Sequence, residues 1–231
     1  MGAIECPQRI SPGIRHTFVS RILLILCLAV FPAAAATTDI SKLLKGIEDR
    51  YNRARTLQIH FAQTYTHAQG RRMETGDLYL RKPGKMRWVY SNPAGKVFVS
   101  DAKDAWFYSP ATNRVEKMKL KETDDMRAPM AFLLGRLDFS RDFKEFRSRP
   151  EGEAVFITAV PKSEKMPYRE VSFLVSPAHQ IQRLIVTGQD GSVLQFDFSA
   201  EKVNPPLEDS LFGFQIPRGA ELVDLTNSQA N

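Results

Sequence analysis

The sequence predicts a mainly β protein of the α+β class, in which an antiparallel sheet packs against a few short helices. One amphipathic helical pattern near the start is followed by many short segments in which apolar and polar residues alternate. A period of two is typical of strands with one buried face. Turn residues separate these segments, and strands do not alternate with helices along the chain, which disfavours the parallel sheet of βαβ proteins.

The helical pattern covers residues 40–54, directly after Thr38-Asp39, a pair suited to capping a helix N-terminus. Its apolar side chains recur at the spacing of one helix face. These side chains are Ile40, Leu43, Leu44, Ile47 and Tyr51.

The clearest strand pattern runs from Leu57 to Thr66, where Leu57, Ile59, Phe61, Gln63 and Tyr65 share one parity. Pro-Gly and Pro-Ala turns separate the segments that follow, and Gln189-Asp190-Gly191 predicts a tight hairpin. The further strands are predicted at 74–82, 85–91, 95–101, 104–109, 113–120, 153–160, 168–176, 181–188 and 192–200.

A second apolar helix is predicted between the two runs of strands, from Met126 to Leu137. Pro129 fits its first turn, where the missing N–H does no harm. Its shared apolar face contains Met126, Met130, Leu133, Leu134 and Leu137.

Residues 1–36 have the three parts of a secretory signal peptide: a positive leader, an apolar run from Ile22 to Phe31, and alanines before the predicted cut. The residue before Cys27 is Leu26, which does not suit lipid attachment. We therefore expect residues 37–231 to form a single soluble domain outside the inner membrane. Both cysteines precede the predicted cut, so this domain has no thiol chemistry.

The residues offer no concrete catalytic centre. The chain lacks a G-x-S-x-G elbow and a phosphate-binding loop, and His60, His67 and His179 are not at zinc-ligand spacing. Although the net charge is +6, basic and acidic residues are interspersed, so no basic block indicates nucleic acid. The prediction is a protein that is not an enzyme and uses no cofactor or metal.

The strands are rich in aromatic and soft apolar side chains of one parity. Two interpretations stay open: these residues fill an ordinary packed core, or they line a concave sheet that encloses an apolar ligand. The candidates for a cavity are Leu78, Leu80, Met86, Trp88, Tyr90 and Trp106 on strands, with Met130, Leu133 and Leu134 on the second helix.

The segment Gly76–Trp88, with its G-x-L-x-L strand, a basic residue before Pro83 and the Met-Arg-Trp strand, resembles the outer-membrane lipoprotein carrier protein family, LolA. The stretches 90–108, 129–134 and 211–217 are similar to later parts of that family, in the same order. The resemblance implies an unclosed antiparallel β-barrel with an apolar concave face covered by short helices, which act as a lid.

The resemblance also implies a function. Such proteins are periplasmic chaperones that take lipoproteins from an ABC transporter of the inner membrane and deliver them to the receptor LolB at the outer membrane. The family commonly has an arginine before the proline that holds the lid, and Lys82 stands there in this sequence. Lysine lacks the planar fork of arginine, so a looser lid contact is expected. We expect a monomer.

Two other classes of function are compatible with the residues. One is a related periplasmic lipid-binding or envelope-sensing module with the same half-barrel fold. The other is an envelope hydrolase, whose catalytic groups would have to converge from distant positions.

Overall fold

The structure, a computed structural model, describes residues 39–120 and 137–226. The predicted first helix is confirmed as α1, which covers Ile40–Arg53. Asp39 caps it, since its carboxylate accepts hydrogen bonds from the backbone N–H groups of Ser41 and Lys42. The predicted leader, most of the predicted second helix and the C-terminal tail lie outside the described residues.

The described residues contain twelve strands, which form one sheet. The first six are β1 (Thr56–His67), β2 (Gly70–Arg81), β3 (Lys85–Asn92), β4 (Val97–Asp101), β5 (Asp104–Ser109) and β6 (Arg114–Lys119). The others are β7 (Phe143–Glu151), β8 (Ala154–Pro161), β9 (Tyr168–Val175), β10 (Ile181–Gly188), β11 (Val193–Val203) and β12 (Glu221–Asp224). A short helix α2 covers Phe139–Asp142, and one turn of 3-10 helix covers Asp209–Phe212.

The strand order is β12-β6-β5-β4-β3-β2-β1-β11-β10-β9-β8-β7. Consecutive strands form two antiparallel meanders, and the pair of β1 with β11 joins them. The two end strands, β7 and β12, are not paired with each other in the described part of the chain, so the sheet is unclosed. The mainly β, unclosed antiparallel fold is therefore confirmed.

Two strands, β7 and β12, were not predicted from the sequence pattern. β7 is an edge strand whose residues are mostly exposed, so it shows no alternation of apolar and polar side chains. β12 has four residues and pairs in parallel with β6, which departs from the expected antiparallel arrangement. β2 also begins four residues earlier than predicted, because its pairing with β1 continues to Gly70 opposite His67.

The core lies on one side of the sheet, called here the inner face. Its centre is Phe61, whose ring makes edge-on contacts with Trp88 and Tyr90 at centroid distances of 4.8 and 5.2 Å. Gly76 lies opposite Phe61 in β2. A Cβ atom at Gly76 would lie 2.2 Å from the carbonyl oxygen of Val89, so a side chain has no room there.

Helix α1 packs its apolar face on this core. Leu43, Leu44, Ile47 and Tyr51 are all buried and belong to the same cluster as the inner face of the sheet. The buried Phe139 of α2 belongs to that cluster as well. The sheet and both described helices thus share a single core.

We predict that Phe61→Ala lowers the free energy of unfolding by about 3–5 kcal/mol, because it leaves a cavity among the rings of Trp88, Tyr90 and Phe196. The matched control is Met73→Ala in the neighbouring strand, where the side chain is 57% exposed and the change should stay within about 0.5 kcal/mol. Urea unfolding measures both. Equal losses in the two variants would contradict the assignment of Phe61 to the centre of the core.

Candidate functional site

Five of the predicted cavity residues lie together on the inner face, in β2 and β3. Leu78 pairs with Trp88 and Leu80 with Met86, while Tyr90 follows at the next inward position. All five are buried, with at most 6% of any residue exposed. The indole N–H of Trp88 donates to the sulfur of Met86 over 3.2 Å. The one polar atom of the Trp88 side chain thus has a hydrogen-bond acceptor within the inner face. Contact of these residues with acyl chains stays a prediction.

Trp106 does not belong to this group. The pairing of β4 with β5 places it opposite Val99, on the outer side of the sheet, and its ring stacks on Phe214 at 6.1 Å. The inward residues of β5 are Ala105 and Phe107. The prediction that Trp106 lines the cavity is therefore wrong. Alternation within β5 gives two faces but does not say which face is inward.

Three predicted cavity residues, Met130, Leu133 and Leu134, lie outside the described residues. Their contact with acyl chains stays a prediction.

Lys82 reaches the end of helix α1. It follows β2 in the turn before Pro83, and its ammonium group donates to the backbone carbonyl of Tyr51 over 2.7 Å. That carbonyl is in the last turn of α1, where backbone acceptors lack partners within the helix. Burial lowers the pKa of Lys82. The role of Lys82 in holding a lid stays a prediction.

Tyr51 ties the same end of α1 to the other half of the sheet. Its hydroxyl donates to Glu201 over 2.8 Å and accepts from the backbone N–H of Ile181 over 2.9 Å. Arg50 also contacts Glu201, whose side chain is only 1% exposed. Burial, and then the Glu201 carboxylate, raise the pKa of Tyr51, so the phenol stays protonated and keeps donating.

Two further ties connect α1 to the chain just before and within α2. The amide of Asn52 bonds both the carbonyl and the N–H of Leu137, at 2.9 and 2.7 Å. The Glu48 carboxylate accepts from the N–H of Phe139 over 2.9 Å. Sequence reasoning missed the ties made by Tyr51, Asn52 and Glu48, because their partners are 85 or more residues away and no local pattern pairs them.

A second polar group lies at the other end of the inner face. Gln63 and Glu74, paired across β1 and β2, are buried with Lys96 beside a cavity of about 560 Å³. The ammonium of Lys96 lies 2.6 Å from the Glu74 carboxylate. The sequence contained one signal of this buried polar group. Gln63 has the same parity as the apolar residues of β1, so a polar side chain was expected on the apolar face.

On the outer face, residues 205–217, called here the strap, cross strands β2 to β5. A cavity of about 950 Å³ lies between the strap and the sheet, with Arg87, Val97 and Tyr108 in its wall. Arg87 donates to two strap carbonyls. Lys85 and Arg81 contact Asp209 at 2.8 and 2.6 Å.

The described residues contain no cluster of acids, histidines or cysteines able to hold a metal ion. No helix within residues 39–120 or 137–226 is long and apolar enough to cross a membrane. His60 lies on the outer face, where its ring nitrogen is 3.1 Å from Asp77 and nearly half of each side chain is exposed.

The fold and the buried inner face define a class: an unclosed antiparallel sheet whose apolar side is covered by a helix held through a few polar ties. A family model described as "Outer membrane lipoprotein carrier protein LolA" matches residues 52–215. The chain belongs to this family, as the sequence resemblance predicted.

Two relatives match almost along their whole length. The outer-membrane lipoprotein carrier protein of Proteus mirabilis is 31% identical over 209 residues, which are 89% of this chain and 99% of that protein. The protein of the same name from Nitrosomonas europaea is 27% identical over 204 residues, covering 87% and 96%. A crystal structure of a LolA superfamily protein from Nitrosomonas europaea aligns at 12% identity and a TM-score of 0.43, covering 75% of this chain and 97% of that one.

The Asp209 contacts predict a pH dependence for the strap. The hydrogen bond from Lys85, followed by that from Arg81, lowers the pKa of Asp209 from its usual 3.8. A carboxyl whose pKa is lower in the folded than in the unfolded state stabilises the folded state at pH values above its usual pKa. This stabilisation is lost as the pH falls through the lowered pKa.

We therefore expect Asp209→Asn to be less stable than the parent protein at pH 7, by a small amount because Asp209 is exposed to solvent. The difference between the two proteins should vanish well below pH 3.8. Urea unfolding of both proteins from pH 7 to pH 2 measures it. A difference that does not change with pH would contradict the assigned ion pairs.

Proposed function

We propose that this protein is a periplasmic chaperone that accepts lipoproteins released from the inner membrane and carries them to an outer-membrane receptor. Family membership supports the proposal, as do relatives named outer-membrane lipoprotein carrier proteins. The observation that carries it in this chain is the aromatic inner face buried under α1, a helix that polar ties hold at its C-terminal end. In this proposal, residues 1–36 direct export and are removed, and residues 37–231 are the carrier.

The physical need for such a carrier is large. Burial of an acyl chain is worth about 0.8 kcal/mol per CH₂, so a sixteen-carbon chain resists leaving the membrane by on the order of 12 kcal/mol. A protein moves such a chain through water only if it offers a comparable apolar surface. It must also release the chain, so its affinity has to be moderated.

The buried inner face supplies that moderation. Leu78, Trp88 and Tyr90 are already covered in the described conformation, so cargo must compete with the groups that cover them. The cost of uncovering the face is subtracted from the cargo affinity. We infer that the described conformation is the closed one, and that release restores its contacts.

The proposed partners follow from this role. The cargo is the acylated end of lipoproteins, the donor is a lipoprotein-releasing ABC transporter of the inner membrane, and the acceptor is the receptor LolB. No catalytic step and no cofactor are part of the proposal.

Cargo identity is tested by purifying the protein from the periplasm and from the cytoplasm, where a version lacking residues 1–36 is made as the control. We expect lipoproteins to co-purify only with the exported protein, as identified by mass spectrometry. The cytoplasmic form, once purified, should release lipoproteins from inner-membrane vesicles that contain the transporter. A protein that is empty in the first test and inactive in the second would refute the proposal.

Lys82→Leu tests the tie at the end of α1. Loss of the hydrogen bond to the Tyr51 carbonyl should destabilise the closed conformation by about 1 kcal/mol. The variant should then hold cargo about fivefold more tightly and transfer it to the receptor more slowly, because closure competes less well.

The control for this prediction is Lys85→Leu, three positions along, which loses only the outer-face contact with Asp209. Transfer in a two-protein assay measures both variants. If Lys82→Leu transfers cargo at the rate of Lys85→Leu and of the parent protein, Lys82 does not hold a lid.

A further inference from the structure

A polar group lies where the apolar inner face ends, around Gln63. The side-chain amide of Gln63 donates to Oε2 of Glu74 over 3.2 Å, and the ammonium of Lys96 lies 2.6 Å from that same oxygen. The guanidinium of Arg72 lies 3.2 Å from the other carboxylate oxygen. The negative charge of Glu74 is thus matched by two cations.

The remaining atom of the Gln63 amide is an acceptor with no partner. Gln63 is 6% exposed, and its Oε1 is buried without a hydrogen bond. The orientation of the amide is determined by Glu74, since the reversed amide would place a carbonyl oxygen against a carboxylate oxygen. Buried polar atoms are rarely left unsatisfied, and each one costs free energy until a donor reaches it.

The cavity beside Gln63 continues the apolar surface. Its wall includes Tyr65, Phe107 and Leu194, together with Gln63, Glu74 and Lys96. The ammonium of Lys96 lies 4.2 Å from the centre of the Tyr90 ring, and Tyr90 in turn contacts Phe61 at the centre of the inner face. An acyl chain lying along the inner face toward this end would therefore bring its polar linkage into the cavity.

The polar groups of the cavity favour one kind of acyl linkage, the amide, over another, the ester. Since Glu74 is already matched by Lys96 and Arg72, the unmet requirement is a neutral donor for Oε1 of Gln63. An acyl chain joined through an amide carries one N–H directly beside the chain, whereas an ester linkage has no donor.

We propose that Gln63 recognises N-acylated cargo by accepting a hydrogen bond from the amide N–H that links the acyl chain. The inference rests on the proposed carrier function and adds a specificity to it. The cavity holds the amide, while the chain itself lies on the inner face.

The test compares two synthetic lipopeptides that differ in one group. Both carry the same three acyl chains, and the chain on the terminal nitrogen is joined by an amide in one and, with oxygen in place of N–H, by an ester in the other. Each lipopeptide is dispersed in the same detergent, and its equilibrium binding to the purified protein is measured, because release from a membrane belongs to the transporter in the proposed function. The parent protein should prefer the amide by about tenfold, as the loss of one buried hydrogen bond requires.

Gln63→Met removes the acceptor and nearly preserves the length of the side chain, so the amide and the ester should then bind equally. The matched control is Gln195→Met in β11, where the glutamine donates to Asp197 over 2.6 Å on the outer face. This control should keep the tenfold preference. Gln63→Leu provides a second test, and urea unfolding checks that each variant is folded.

The outcomes separate the two proposals. If the parent protein binds both lipopeptides equally, water or another group serves Oε1 and the inference is overturned while the carrier function stands. A preference that persists in both Gln63 variants also overturns it. If the parent protein binds neither lipopeptide, the carrier function itself fails, and the inference with it.

Discussion

Helix α1 packs on the inner face, and this contact keeps the core of the unclosed sheet out of water. An unclosed sheet has one face that must be removed from water, and here Leu43, Leu44, Ile47 and Tyr51 cover part of it. Each such side chain contributes about 1.5–3 kcal/mol on burial. Apolar contact alone does not set the position of a helix on a sheet. The hydrogen bonds of Tyr51 and Asn52 hold the C-terminal end of α1 in one place.

The same surface thereby has two roles that compete. Trp88 and Phe61 stabilise the protein as core residues, and in the proposed function they are also the surface that shields cargo. A sixteen-carbon chain offers on the order of 12 kcal/mol of burial, which is comparable to a few apolar side chains of a covering helix. Because the two quantities are similar, exchange between helix and cargo is feasible in both directions. A much better packed cover would exclude cargo, and a poorer one would retain it.

The two ends of the inner face differ in chemistry. At one end, Lys82 donates to one backbone carbonyl in the last turn of α1, and at the other Gln63 and Glu74 form a buried polar group beside a cavity. The outer face has a different organisation, since Arg81, Lys85 and Arg87 hold the strap there. The sheet therefore separates an apolar interior, with polar groups only at its limits, from a charged exterior that is fastened by the C-terminal part of the chain.

Elements with a local signal could be predicted from the pattern of residues alone. The apolar face of α1 and the period-two strands were predictable because burial of one face imposes a pattern on neighbouring residues, and Pro83 and Gly191 marked turns for the same local reason. Edge strand β7 buries only Phe143 fully, so it left no pattern with a period of two. Three features could be known only from the folded chain: Trp106 points outward, Tyr51 bonds Glu201, and Gln63 contacts Glu74. Each feature depends on strand register or on a partner distant along the chain. Neither register nor a distant partner can be read from a short window of residues.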